Sequence, residues 1–283
     1  MQFSFSNGLI VIISSFLLTA CSFSFVYNNL AWLSSWYLDD YVEFTPPQQQ
    51  AFDSAFIELH SWHRKTQLSL YYQQLTLFKE QVNRGMSEID INEHFSFIQN
   101  HLLSLREQAK SPLLILTHSL SDDQKKQVID EIEDNNQRRI NDHKQLSEQK
   151  WVLKQCKNIR KQLKKWLGKL TSTQKLAVCK QTKALKPTFS HWMAYRDKWH
   201  KGLETALLLT VDKQQYEMLF TELISYPDSL KTAQYKALSK NNSQVYVNLV
   251  HSMINNLTAK QQRKLNRELD DVIDELKDLE MTD

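Results

Sequence analysis

Apolar residues along much of this chain recur every three or four positions, which is the spacing of a helix that buries one face. Two runs are the most regular. The members of the first run are Val152, Cys156, Ile159, Leu163 and Trp166. The members of the second run are Leu265, Leu269, Val272, Leu276 and Leu279. Both runs predict amphipathic helices, each packed along a partner helix.

Four short segments carry the pattern of a helix start. Each has an apolar residue, then Ser or Thr, then two residues and a Gln, and they are FTPPQ (44–48), LSDDQ (120–124), LTSTQ (170–174) and LTAKQ (257–261). The hydroxyl can accept a hydrogen bond from the amide three residues later, and the Gln side-chain oxygen can accept one from the first amide. These capping boxes predict four helices that begin directly after the Ser or Thr.

Together these patterns predict an all-α protein, an elongated multi-helix bundle. The predicted helices span 27–40, 46–84, 88–109, 122–167, 172–185, 188–208, 212–225, 228–239, 243–256 and 259–280. The helix over 122–167 would be about 69 Å long, and its polar middle holds one large apolar residue, Ile140. We therefore expect this very long helix to protrude, or to join two helical clusters within one domain over 21–283.

Composition agrees with a helical fold. The chain has 4 glycines in 283 residues, whereas sheets and barrels need many glycine-containing turns. The same shortage excludes glycine-rich loops that hold phosphate groups. After the N-terminus, no apolar run approaches the roughly 18 residues that a membrane-spanning helix needs.

Residues 1–20 are predicted to be a lipoprotein signal peptide. The uncharged run Leu9–Ala20 would form a helix of about 18 Å, shorter than a bilayer core of about 30 Å. Leu18-Thr19-Ala20-Cys21 resembles the bacterial lipoprotein signal, which predicts cleavage before Cys21 and acylation of its thiol, palmitate included. Ser22, in place of Asp, favours the outer membrane and its periplasmic face. The alternative is an uncleaved membrane helix.

Two further cysteines, Cys156 and Cys179, flank a turn predicted at Gly168. In an antiparallel helix pair their positions differ by about 4.5 Å along the axis. In an oxidising periplasm they can form a disulfide. Two buried thiols that act as small apolar groups are the alternative.

Positive charge is concentrated in one part of the chain. Residues 144–201 contain sixteen Lys or Arg and two acidic residues, although the whole chain has a net charge of +3. This span suggests an anion-binding face made of Lys154, Lys157, Arg160, Lys161, Lys164 and Lys165. Its ligands would be phosphorylated lipid headgroups, acidic wall polymers and other anionic polymers, or acidic envelope proteins. The alternative is a solvated face matched by acidic helices of the same protein, and no nucleic acid is expected in the periplasm.

Motifs for catalysis are absent from the sequence. His60 and His63, three residues apart on a predicted helix, have a spacing that suits a shared metal. However, His63 continues an apolar stripe, which favours a hydrogen-bonded core histidine. There is no HExxH, CxxC or GxSxG pattern, so we expect neither an enzyme nor a cofactor. The aromatic run Trp32, Trp36, Tyr37 and Tyr41 predicts either core packing or contact with a membrane interface.

Three segments carry a family resemblance. VYNNLAWLSSWYLDDYVEFTPPQ (26–48), LHSWHRKTQL (59–68) and WLGKLTSTQ (166–174) resemble an uncharacterised family of Gram-negative outer-membrane lipoproteins. The resemblance implies an all-helical periplasmic lipoprotein and supplies no activity or catalytic residues. The LTxxQ helix starts at Thr171 and Thr258 are similar to those of the Spy-type periplasmic chaperones.

Two functions are compatible with these observations. The first is a membrane-anchored, chaperone-like module that binds unfolded or partner envelope proteins on a basic and apolar surface. The second is a structural adaptor that bridges the outer membrane to a wall polymer or an envelope complex. Both require the N-terminal lipid as the membrane contact.

Overall fold

The structure is a computed structural model that describes residues 20–143, 145–208 and 213–281. Over these residues it is all-α, as predicted, with two short 3₁₀ turns and no strand. The helices are α1 (Ala20–Asn28), α2 (Leu30–Asp39), α3 (Pro46–Arg84), α4 (Glu88–His118), α5 (Asp122–Asp142), α6 (Glu148–Leu167), α7 (Ser172–Gln181), α8 (Phe189–Leu208), α9 (Lys213–Ser225), α10 (Ala233–Ile254) and α11 (Ala259–Met281).

The longest of these helices is α3, with 39 residues and a length of about 58 Å. The C-terminal helix α11 runs antiparallel along it. Lys79 forms an ion pair with Asp270, and fifteen residues earlier the Arg64 guanidinium donates to the carbonyl of Leu279. The apolar stripe predicted in α11 is buried against α3 and its neighbours, with Leu265, Leu269, Leu276 and Leu279 all less than 9% exposed.

The single helix predicted over 122–167 is wrong. It is two helices, α5 and α6, separated between Asp142 and Glu148. His143 has extended backbone angles, and its ring stacks on Phe189 with 3.5 Å between the centroids. Because the predicted helix was polar around this point, no apolar stripe favoured a straight continuation. The division of 21–283 into two clusters stays a prediction.

Three other predicted boundaries also differ. The segment 27–40 forms two helices, and the helix predicted to end at residue 109 continues past Pro112 to His118. The predicted break between 239 and 243 does not exist, since α10 is continuous there. The Asn242 side chain accepts from the amide of Lys186 and donates to its carbonyl, so this asparagine holds a neighbouring segment and does not end a helix.

All four predicted capping boxes form, at Thr45, Ser121, Thr171 and Thr258. They also bind one another in pairs through their glutamines. The Nε2 of Gln48 donates to the Oε1 of Gln124 at 3.0 Å, and the Nε2 of Gln124 donates to the Oε1 of Gln48 at 2.7 Å. Gln174 and Gln261 make the same two contacts at 2.8 Å each. We refer to these as the Gln48–Gln124 pair and the Gln174–Gln261 pair.

Each glutamine of a pair makes one further contact to the partner helix. Its Nε2 donates to the carbonyl two residues before the partner's Ser or Thr cap. The four accepting carbonyls, at 2.7–3.1 Å, belong to Ser119, Glu43, Asn256 and Lys169. The recurrence of this five-residue pattern therefore has a structural cause, because one residue caps its own helix and joins it to a second helix start.

Candidate functional site

The predicted anion-binding residues lie together on α6. We refer to Lys154, Lys157, Arg160, Lys161, Lys164 and Lys165 as the basic face. The five lysines are exposed and Arg160 is half-buried. The opposite side of α6 is buried in the core through Cys156, Ile159 and Leu167. At about 100° per residue the lysines therefore occupy one solvent-facing side of the helix.

The side chains of the basic face form no direct ion pair with acidic groups of the described residues. None of its six side chains takes part in an ion pair there. The acidic helix α5 instead pairs its carboxylates with its own bases, as in Lys126 with Asp130 at 2.6 Å. In α11, Lys264 pairs with Glu268. Direct ion pairs with the acidic helices therefore do not account for the basic face, and anion binding by it stays a prediction.

The helix that carries the basic face is fixed to α7 by a disulfide. Cys156 and Cys179 are joined, with their Cα atoms 4.9 Å apart. The chain turns between the two helices at Gly168, whose φ of 74° is a conformation that a side chain would disfavour. Val178, next to the disulfide, is completely buried. The basic face is therefore presented on a braced helix hairpin.

Neighbours of the basic face were missed in the sequence. Lys150 is exposed and stands one helical turn before Lys154, so the same spacing argument would have included it. Two apolar side chains also face solvent on this hairpin, namely Leu153 at 67% and Leu176 at 73% exposed. Their exposure depends on how α6 and α7 pack, which no local pattern reports.

The N-terminal helix α1 contains Cys21 and is attached to α3 and α11. The signal peptide predicted over residues 1–20 lies outside the described residues except for Ala20, the first residue of α1, and both its cleavage and the acylation of Cys21 remain predictions. Both the backbone amide and the hydroxyl of Ser24 donate to Glu275 Oε1 at 3.0 Å. Arg64 donates to Asn28 Oδ1 at 2.6 Å. The ring of Tyr27 is buried beneath the helix, at 5% exposure.

Both ring nitrogens of His63 have hydrogen-bond partners below α1. The hydroxyl of Tyr27 is 2.9 Å from Nδ1, and the hydroxyl of Tyr71 is 3.1 Å from Nε2. Burial, and secondarily the imidazoles of His60 and His101, lowers the pKa of His63 to about 4. The ring of His60 packs on Tyr27, with centroids 4.6 Å apart. Among the described residues no three His, Cys, Asp or Glu are grouped as metal ligands would be.

Acidification is expected to weaken this attachment. The pKa of His63 falls from 6.5 to about 4 on folding, so its stabilising effect is complete above pH 6.5 and is lost as the pH drops towards 4. Allowing for partial exposure, this amounts to roughly 2 kcal/mol. Urea unfolding at pH 7 and pH 4.5 measures it, and His63→Gln should reduce the difference between the two pH values.

His251→Gln provides the matched control, since His251 lies in α10 outside this network. It should leave the pH dependence of unfolding as in the unsubstituted protein. An equal change in both variants would contradict the assignment to His63.

No helix among the described residues is long and apolar enough to cross a bilayer.

Comparison with known proteins places the chain in a family. No curated protein and no solved structure matches the chain. A family model described as a family of unknown function, DUF6279, matches residues 40–236. The match includes the basic face and both cysteines of the disulfide, and it covers more than half of the 283 residues. The chain therefore belongs to the family of unknown function DUF6279.

Proposed function

We propose that the protein is an outer-membrane lipoprotein of the periplasm that acts as an adaptor, with its basic face bound to an acidic polymer or acidic protein of the envelope. The observation that carries this proposal is the basic face itself. Its five lysines are exposed, its six side chains form no ion pair among the described residues, and the disulfide holds the helix that carries them. A rigid row of unpaired cations attracts polyanions without first releasing internal partners.

Two features support the compartment and the anchor. A disulfide between Cys156 and Cys179 is typical of oxidising compartments such as the periplasm. Cys21 lies at the start of α1, which is hydrogen-bonded to the folded protein through Ser24 and Arg64. A lipid on Cys21 would therefore be joined to the folded domain without a long flexible linker.

The anchor is tested by the intact mass of the protein purified from envelopes. We expect loss of residues 1–20 and a mass increase that corresponds to acyl groups on Cys21. Cys21→Ser should abolish the increase and release the protein from membranes. A product that retains the first twenty residues and carries no acyl group would overturn the anchor.

Neutralising the basic face is expected to weaken polyanion binding roughly tenfold, because each exposed ion pair contributes up to about 1 kcal/mol. The variant has Lys154, Lys157, Lys161 and Lys164 all replaced by Gln. Binding to poly-L-glutamate is measured by titration at two salt concentrations. The variant should also show a weaker salt dependence than the unsubstituted protein, since fewer charges contribute.

A second set of four exposed lysines controls for net charge alone. Lys65, Lys198, Lys236 and Lys260 lie on other helices, and their replacement by Gln changes the total charge equally. Affinity should change little in this control. Equal losses in both variants would contradict a specific face.

A chaperone-like function is the second candidate, and the exposed Leu153 and Leu176 beside the lysines favour it. A mixed basic and apolar surface suits unfolded acidic segments. Crosslinking in intact cells, followed by identification of the captured proteins, separates the two functions. An adaptor gives one or two constant partners, whereas a chaperone gives many and also suppresses aggregation of a denatured client.

A further inference from the structure

Four aromatic side chains on α1 and α2 face solvent. We refer to them as the aromatic face, and their exposed fractions are 67% for Phe25, 67% for Trp32, 60% for Trp36 and 54% for Tyr37. None of the residues of α2 is fully buried. Tyr41, the last member of the aromatic run in the sequence, differs because it is half-buried and accepts a hydrogen bond from Asn135 at 2.9 Å.

The aromatic face lies on the outer side of both helices. In α2, the inner side is marked by Ser35, whose hydroxyl accepts from Gln49 of α3 at 3.0 Å. Leu33, Ser34 and Leu38 are half-buried as well, whereas Trp32, Trp36 and Tyr37 are exposed, so these three rings lie on the side of α2 that faces solvent. In α1, Tyr27 is buried, and Phe25 stands two residues earlier, on the opposite side of the helix.

The segment that carries this face contains no charge. Residues 20–38 include no Asp, Glu, Lys or Arg, although 24% of the whole chain is charged. The polar side chains of the segment are neutral, being Ser, Asn and Tyr. A docking site for a charged partner is therefore disfavoured. Trp and Tyr are enriched where proteins meet the interfacial region of a bilayer, because their rings have an apolar body and a polar edge.

The chain also places this segment next to the membrane attachment. Cys21, the proposed site of the lipid, lies at the start of α1, and Phe25 follows it by about one helical turn. Tyr37 is at most about 24 Å from Cys21 along the helix axes. An acyl group on Cys21 therefore holds the whole aromatic face within reach of the lipid headgroups.

We propose that the aromatic face inserts into the interfacial region of the lipid bilayer and lays α1 and α2 against the membrane surface. This inference rests on the proposed lipid anchor and adds a second contact to it. Such a contact is driven by burial of the aromatic rings and not by attraction to anionic lipids. It would fix the orientation of the domain, and hence the direction in which the basic face points.

Quenching of tryptophan fluorescence tests this contact in the full protein. The chain, purified from bacterial envelopes, is reconstituted into phosphatidylcholine vesicles whose acyl chains carry bromine, a quencher confined to the bilayer. Acrylamide quenches from the aqueous side. Subtracting the fluorescence emission of the variant Trp32→Phe/Trp36→Phe from that of the unsubstituted protein gives the emission of the two tryptophans of the aromatic face. The variant Trp62→Phe/Trp151→Phe is the matched control, because both of these tryptophans are half-buried elsewhere in the protein.

We expect brominated lipid to quench the emission of Trp32 and Trp36, so that their replacement removes most of the lipid-dependent quenching, whereas the control variant retains it. Unchanged lipid-dependent quenching would overturn the proposal. Protection from both quenchers would also overturn it, since a second protein copy would then cover the face. The intact mass of the protein, measured on the same sample, shows whether Cys21 is acylated. A chain without acyl groups that still shows lipid quenching refutes the anchor alone.

Discussion

Replacing Gln174 by alanine is expected to destabilise the protein by about 3 kcal/mol. This side chain is 3% exposed, and its oxygen accepts from the amide of Thr171 at 2.9 Å. Its nitrogen donates to the carbonyl of Asn256 and to Gln261. The substitution leaves the buried side-chain amide of Gln261 without its partner, at a cost of about 1–3 kcal/mol. It also removes half of the capping box of α7, at about 1 kcal/mol.

Gln124→Ala is the matched comparison, since it removes the same set of bonds from the Gln48–Gln124 pair. Gln124 is half-buried, so water can replace its partners and the loss should be about 1 kcal/mol. Urea unfolding measures both, with the midpoint shifting at constant slope. The interpretation of the pairs fails if Gln174→Ala costs no more than Gln124→Ala.

Removing the disulfide is the second large effect. The double variant Cys156→Ala/Cys179→Ala should lose about 3 kcal/mol of stability, because a bridge across 23 residues restricts the unfolded chain by about that amount. Cys156 is also buried, so removal of its sulfur adds a small packing loss to that amount. Urea unfolding with and without dithiothreitol provides the measurement.

Reductant should lower the stability of the unsubstituted protein to that of the double variant, and it should leave the double variant itself unchanged. Titration of free thiols in the native, oxidised protein offers an independent check. Two reactive thiols, or a protein insensitive to reductant, would contradict the disulfide.

Local patterns along the sequence predicted the features that depend on local interactions. A capping box involves residues three positions apart, so Thr171 and Gln174 identify a helix start without knowledge of the rest of the fold. The partner of Gln174 is Gln261, 87 residues later, and no local pattern connects them. For the same reason the four helix starts were predicted, whereas their pairing was not.

The break at His143 illustrates the opposite case. Helix propensity continues through this region, and the interruption is stabilised by stacking on Phe189, a residue of a different helix. The basic face was predictable because lysines three or four apart share a side of a helix. The lack of ion pairs on this face in the described part of the chain could not be predicted, because it depends on where α5 and α11 lie and on which bases their acidic side chains contact.

The attachment of α1 implies an order of events during biosynthesis. Ser24 is hydrogen-bonded to Glu275, 251 residues later in the chain, and Leu68 of α3 is buried in a cluster with Leu276. These contacts form only after a stretch of 251 residues has been synthesised, and closing so long a loop is slow. The end nearest Cys21 therefore completes its folding only after α11 is available to pack against it.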